Sequence, residues 1–105
     1  MPRAIMEMSN SISLEHEPYS NPLRVLILGI IEVEGKASWT KIVNDLDSLT
    51  GKKSNPNSIS FHLARLVDAK SVEKKEQYYT ASVRPEQIGG EFVEFVQQLT
   101  KAMKK

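Results

Sequence analysis

The chain contains no cysteine. That excludes a disulfide framework, a thiolate metal site and a cysteine nucleophile, and it points to an intracellular, cytoplasmic protein. Long apolar runs are missing as well. No stretch approaches the ~18 apolar residues of a membrane-spanning helix, and the opening Met1-Pro-Arg-Ala-Ile-Met-Glu-Met8 lacks a signal-peptide apolar region. The five glycines never form a phosphate-cradling loop. The two histidines, His16 and His62, stand without a nearby nucleophile, so no enzyme activity and no cofactor are expected. Glu15-His16-Glu17 has metal-binding residue types, but adjacent side chains point in different directions and no fourth ligand is evident. No metal site is expected. Internal repeats and low-complexity segments are also absent.

What is present suits one small domain of 105 residues, 40% apolar and 26% charged. A chain this short builds a limited core, so an apolar element left over after packing is a candidate contact with a second copy. The net charge of +1 conceals an asymmetry. Residues 1–35 carry two basic and five acidic side chains, residues 36–84 nine basic and five acidic, and residues 85–105 three of each. The basic middle is a mild pointer to a polyanionic partner.

Residues 1–20 have no clean period and read as an N-terminal arm, with Ser11-Ile-Ser-Leu14 as a possible edge strand. The first helix starts behind Asn21, which can cap, and Pro22, which suits the first helical position. Leu23, Val25, Leu26, Ile27, Leu28, Ile30 and Ile31 make it apolar almost all round, so it belongs at the centre of the core. Gly35 ends it. Lys36-Ala37-Ser38 is a short extended link, and Ser38 can cap a second helix, Trp39 to Leu49. After Gly51 comes a polar turn, Lys52-Lys53-Ser54-Asn55-Pro56.

The third helix, capped by Asn55 or Asn57, has two different faces. Ile59, Leu63, Leu66 and Val67 recur at spacings of three and four. At about 100° per residue, Asn57, Ser58, Phe61, Ala64 and Arg65 fall opposite them. That second face carries small hydrogen-bonding groups, one guanidinium and one phenyl ring, and no carboxylate before Asp68. Such a surface suits a DNA groove: polar groups for base edges, an apolar group for a thymine methyl, nothing to repel phosphate. The helix alone equally fits a solvated surface helix with one exposed Phe. Beyond Lys70 the period changes. Val72 to Val83 reads as two short strands with a turn within Glu73 to Gln77. The last segment, 85–105, holds a helix from about Gly90, with Glu86-Gln87-Ile88 as a possible first turn. Its stripe of Phe92, Phe95, Val96, Leu99 and Met103 is a large apolar surface for so small a core, and reads as a contact with a second copy, with plain packing against the first helix as the alternative.

The order helix, link, helix, turn, helix, hairpin, helix is that of a winged helix-turn-helix. The fold class expected is α+β, mostly α: a three-helix core with a two- or three-stranded β-wing over residues 21–84, then a C-terminal dimerisation helix. Asn21-Pro-Leu-Arg-Val-Leu-Ile-Leu28 resembles the opening core helix of ArsR-like transcriptional regulators. Ile59-Ser-Phe-His-Leu-Ala-Arg-Leu66 resembles their recognition helix, and Gln77-Tyr-Tyr-Thr-Ala81 their second wing strand. The long turn Thr50 to Pro56 is more similar to archaeal members. Lys70 stands where the family usually has glycine. With no cysteine, thiolate metal sensing does not carry over.

The resemblance implies sequence-specific binding of double-stranded DNA by a homodimer. Asn57, Ser58, Phe61 and Arg65 would face the major groove, with Ser60 and His62 at its margins. His62 has a second reading, at the edge of the apolar face, where it hydrogen-bonds a backbone carbonyl and sets the angle between helix and hairpin. Lys52 and Lys53 in the turn and Lys74 and Lys75 in the wing would neutralise phosphates, with Lys36 and Lys41 as weaker candidates. The alternative is a winged helix that docks proteins of the transcription or replication machinery, a reading favoured by Glu73 and Glu76 in the wing.

Overall fold

The computed structural model describes residues 21–103. The expected N-terminal arm, its edge strand and the Glu15-His16-Glu17 trio lie outside them. Helix α1 spans Pro22–Glu34. It starts where Asn21 Oδ1 accepts the N–H groups of Leu23 and Arg24, at 2.9 and 3.2 Å. Pro22 has no N–H to leave unpaired in that first turn. Every residue from Arg24 to Ile31 is buried, so α1 is the central helix of the core.

Strand β1 is Lys36–Ser38. Ser38 Oγ accepts the Lys41 N–H at 3.2 Å and so caps α2, Trp39–Thr50. The turn that follows is held by its own polar groups. Asp47 Oδ1 accepts the Ser54 N–H at 2.8 Å, and Thr50 Oγ1 donates to the Leu46 carbonyl at 2.9 Å. Helix α3 is Pro56–Asp68. Of its two candidate caps it uses Asn55, whose Oδ1 accepts the Asn57 N–H at 2.8 Å. The reason is local: Pro56 takes the first helical position and disfavours helical angles at Asn55.

Strands β2, Val72–Lys75, and β3, Tyr78–Ala81, form the hairpin. The three strands make one antiparallel sheet in the order β1-β3-β2. Lys74 pairs with Tyr79 and Lys75 with Tyr78, while Ala37 of β1 pairs with Tyr79. Because side chains alternate across a strand, Ala37, Val72, Tyr79 and Ala81 share one face, and that face packs on the core. The link at residues 36–38 is therefore a full member of the sheet.

A four-residue helix, α4, Pro85–Ile88, stops at Gly89, and α5 runs from Gly90 to Met103. The protein is α+β, mostly helical, with a small three-stranded antiparallel sheet, an arrangement compatible with a winged helix. Among the described residues no helix is long and apolar enough to cross a membrane.

The apolar stripe of α5 sits differently from the sequence expectation. Phe92, Phe95 and Leu99 are fully buried inside the protomer. They pack on α1 at Gly29, where an added Cβ would meet Leu99 Cδ1 at 2.5 Å and Phe95 Cε2 at 2.9 Å. Glycine is what allows the two helices to approach so closely. Burying three such side chains contributes roughly 5–9 kcal/mol, comparable with the whole stability of a small domain. These three residues therefore belong to the core and have no surface left for a second chain. Only Val96 and Met103 of the five expected contacts keep part of their surface exposed.

Candidate nucleic-acid interface

The two faces of α3 separate as its periodicity dictates. Ile59, Leu63 and Leu66 are buried, while Asn57, Ser60, Phe61, Ala64 and Arg65 are exposed and Ser58 is half-buried. Phe61 is 55% exposed, the one large hydrophobic side chain so exposed among the described residues. Cations flank its ring: the guanidinium carbons of Arg24 and Arg65 lie 5.7 and 5.8 Å from its centroid. Arginine over an aromatic face is an attractive contact, so the ring and the Arg65 guanidinium are held beside one another on the open face.

His62 is placed otherwise than expected at the margin of the reading surface. It is 7% exposed, and its Nδ1 accepts a hydrogen bond from Arg24 Nε at 3.1 Å. At about 100° per residue it lies roughly 60° from Ile59, inside the arc that α3 turns to the core. The histidine sits on the core side of the helix, and one partner of its ring is the Arg24 guanidinium. Arg24 itself is 4% exposed and ties the start of α1 to the middle of α3. Sequence reasoning missed Arg24, since its partner lies 38 residues away.

Four of the expected phosphate-binding lysines, Lys52, Lys53, Lys74 and Lys75, are exposed. Lys52 and Lys53 stand on the α2–α3 turn, and Lys74 and Lys75 at the end of β2, on opposite faces of the hairpin. The Lys74 ammonium is 5.6 Å from the Tyr79 ring centroid, directly across the ladder. Lys36 lies over Tyr78 at 4.6 Å. Lys41, the other weak candidate, is committed to carboxylates: its Nζ is 3.1 Å from Asp45 Oδ1 and 3.4 Å from Glu34 Oε2. The hydrogen bond to Asp45 and the charges of Asp45 and Glu34 hold the Lys41 ammonium above its usual range. Burial and the nearby Glu34 carboxyl push Asp45 up to about 6, against the pull of Lys41.

A second cation-lined feature adjoins α3. An open hollow of about 380 Å³ lies between the end of α3 and the β2–β3 hairpin, lined by Val67, Lys70, Val72, Glu73, Lys74 and Ser82. Lys70 was not among the expected binding residues.

No family model, curated protein or solved structure matches the chain. The functional reading therefore rests on the geometry of this surface.

Proposed function

We propose that the protein is a sequence-specific double-stranded DNA-binding regulator of the winged helix-turn-helix kind, with α3 in the major groove and the β2–β3 wing on the backbone. The observation that carries this reading is the open face of α3. It presents Asn57, Ser58, Ser60, Phe61 and Arg65 without a carboxylate before Asp68, and the ring of Phe61 stays 55% exposed although Arg24, Arg65 and His62 lie against it. Arg65 suits a guanine edge or a phosphate, Asn57 an adenine, and Phe61 a thymine methyl. The turn before α3 and the hairpin after it each carry exposed lysines, which would contact the backbone and fix register without reading sequence.

A homodimer remains part of the proposal, through a narrower surface. With Phe92, Phe95 and Leu99 inside the protomer, two copies would meet on the outer flank of α5, at Val96 and Met103. Paired recognition helices would then read half-sites about one DNA turn, roughly 34 Å, apart. Light scattering of the protein alone and with duplex tests this; a monomer on a single half-site removes the pairing.

Selection of bound sequences from a random DNA pool is the first experiment. Replacing Phe61 and Arg65 with Ala is then expected to weaken binding to the selected site by about 2–4 kcal/mol and to change binding to random duplex far less. Equal loss on both would show that these residues do not read bases. A second reading, protein docking through the same face, is favoured by the exposed carboxylates Glu73 and Glu76 in the wing. Failure to bind any duplex at low salt would select it.

A further inference from the structure

Helix α3 ends in a turn that normally takes glycine. The Lys70 N–H donates to the Val67 carbonyl at 3.0 Å, and the Ser71 N–H donates to the Leu66 carbonyl at 2.9 Å. These are the two bonds of a Schellman motif, with Lys70 in its left-handed position at φ 63°. A side chain is strained there, and glycine is not. Lys70 gains nothing in packing to offset that strain, since it is exposed. The cap uses only the backbone of Lys70, which glycine would supply without strain, so the strained side chain points to a role outside the fold.

The position of Lys70 says what that role is. It lines the hollow of about 380 Å³ between the end of α3 and the wing, together with Lys74 of β2 and the Ser82 segment. Neither lysine makes an ion pair among the described residues. Glu73 is the one carboxylate in the lining. The hollow joins the two elements assigned above to groove and backbone, so an anion seated in it would be flanked by further contacts on both sides. We propose that the hollow seats a backbone phosphate of double-stranded DNA between the ammonium groups of Lys70 and Lys74, and that Lys70 is kept for this contact. The inference rests on the DNA-binding reading and adds to it a named phosphate site.

The test uses the full chain and a fluorescently labelled duplex, with anisotropy measured from about 50 to 200 mM salt. Lys70→Gly relieves the backbone while removing the charge, so its melting temperature is expected to stay level or rise. Its affinity at the lowest salt is expected to fall roughly fivefold to tenfold, and the slope of log affinity against log salt to shrink by about one. Lys70→Arg should keep the wild-type slope. Glu73→Gln, which removes the opposing charge, should tighten binding. Wild-type affinity and slope in Lys70→Gly would overturn the phosphate site while leaving the DNA-binding reading intact. No duplex binding by the wild-type chain would overturn both.

Discussion

At the scale of single residues, the candidate surface depends on a pair of side chains beneath it. Arg24 Nε reaches His62 Nδ1 at 3.1 Å, and the Arg24 guanidinium also lies under the ring of Phe61. A histidine nitrogen that accepts this bond carries no proton, so His62 is held as the tautomer with its proton on Nε2. His62→Leu keeps the apolar bulk but removes that acceptor from a buried donor. It is expected to destabilise the fold by about 1–3 kcal/mol in urea unfolding. His62→Asn places an amide oxygen near the lost nitrogen and should be milder. Equal stability for the wild type and both variants would mean that the bond contributes nothing. Much of α3 was legible before this contact was known. Ile59, Leu63 and Leu66 fall on one arc and Asn57, Phe61 and Arg65 on the other, as the helical period requires. His62 was the ambiguous position because imidazole suits either side of the boundary. Its partner, on another helix, leaves no local trace in the sequence.

At the scale of elements, capping chemistry placed the helices well. Asn21 and Ser38 cap where a hydrogen-bonding side chain stands before an apolar run, and Gly35 and Gly51 stop the helices behind them. The hairpin was less legible. Its pairing brings Lys75 opposite Tyr78, which leaves only Glu76 and Gln77 in the turn. The sequence has no Asn-Gly or Asp-Gly there to fix the turn type, and the whole of residues 73–77 was open to the loop. The structure places Glu76 at φ 58°, a conformation that favours glycine. Glu76→Gly is therefore expected to stabilise the hairpin by about 0.5–1 kcal/mol, the gain in strain exceeding the added flexibility of the unfolded chain. It also removes a negative charge from the hairpin, so the DNA-binding proposal expects duplex affinity to rise. A lower midpoint in thermal unfolding would show that the carboxylate makes a contact worth more than the strain. The same kind of position recurs at Lys70, where the residue is basic. Two strained residues of opposite charge lie at the two ends of one strand, so on the proposed DNA-binding reading the hairpin is where stability and binding are most separable.

At the scale of the whole molecule, the sequence underestimated how much surface α1 needs covered. A helix buried from Arg24 to Ile31 must be enclosed on every side. Helices α2 and α3 and the sheet cover part of it, and α5 covers the side opened by Gly29. Counting apolar residues on α5 could not distinguish that role from a contact with a second copy, since both need the same stripe. The enclosure has a cost on α1 itself. Glu32 has a buried oxygen with no hydrogen-bond partner among the described residues. Burial, and then the charge of Glu86 on α4, pushes its carboxyl up from 4.5 to about 7. The folded state thus holds this proton more tightly than the unfolded chain does. The resulting stability is complete below about pH 4.5 and is lost as pH rises through about 7. Glu32 is only partly enclosed, so solvent screening reduces the effect to roughly 1–2 kcal/mol. Glu32→Gln is neutral at every pH and escapes the loss. Its melting temperature should match the wild type at pH 4 and exceed it by several degrees at pH 8, where a repelled pair of carboxylates otherwise bears on the junction of α1 and α4. A gap of the same size at both pH values would assign the gain to the amide's own hydrogen bonds, and the absence of any gap at pH 8 would show that water reaches Glu32 freely.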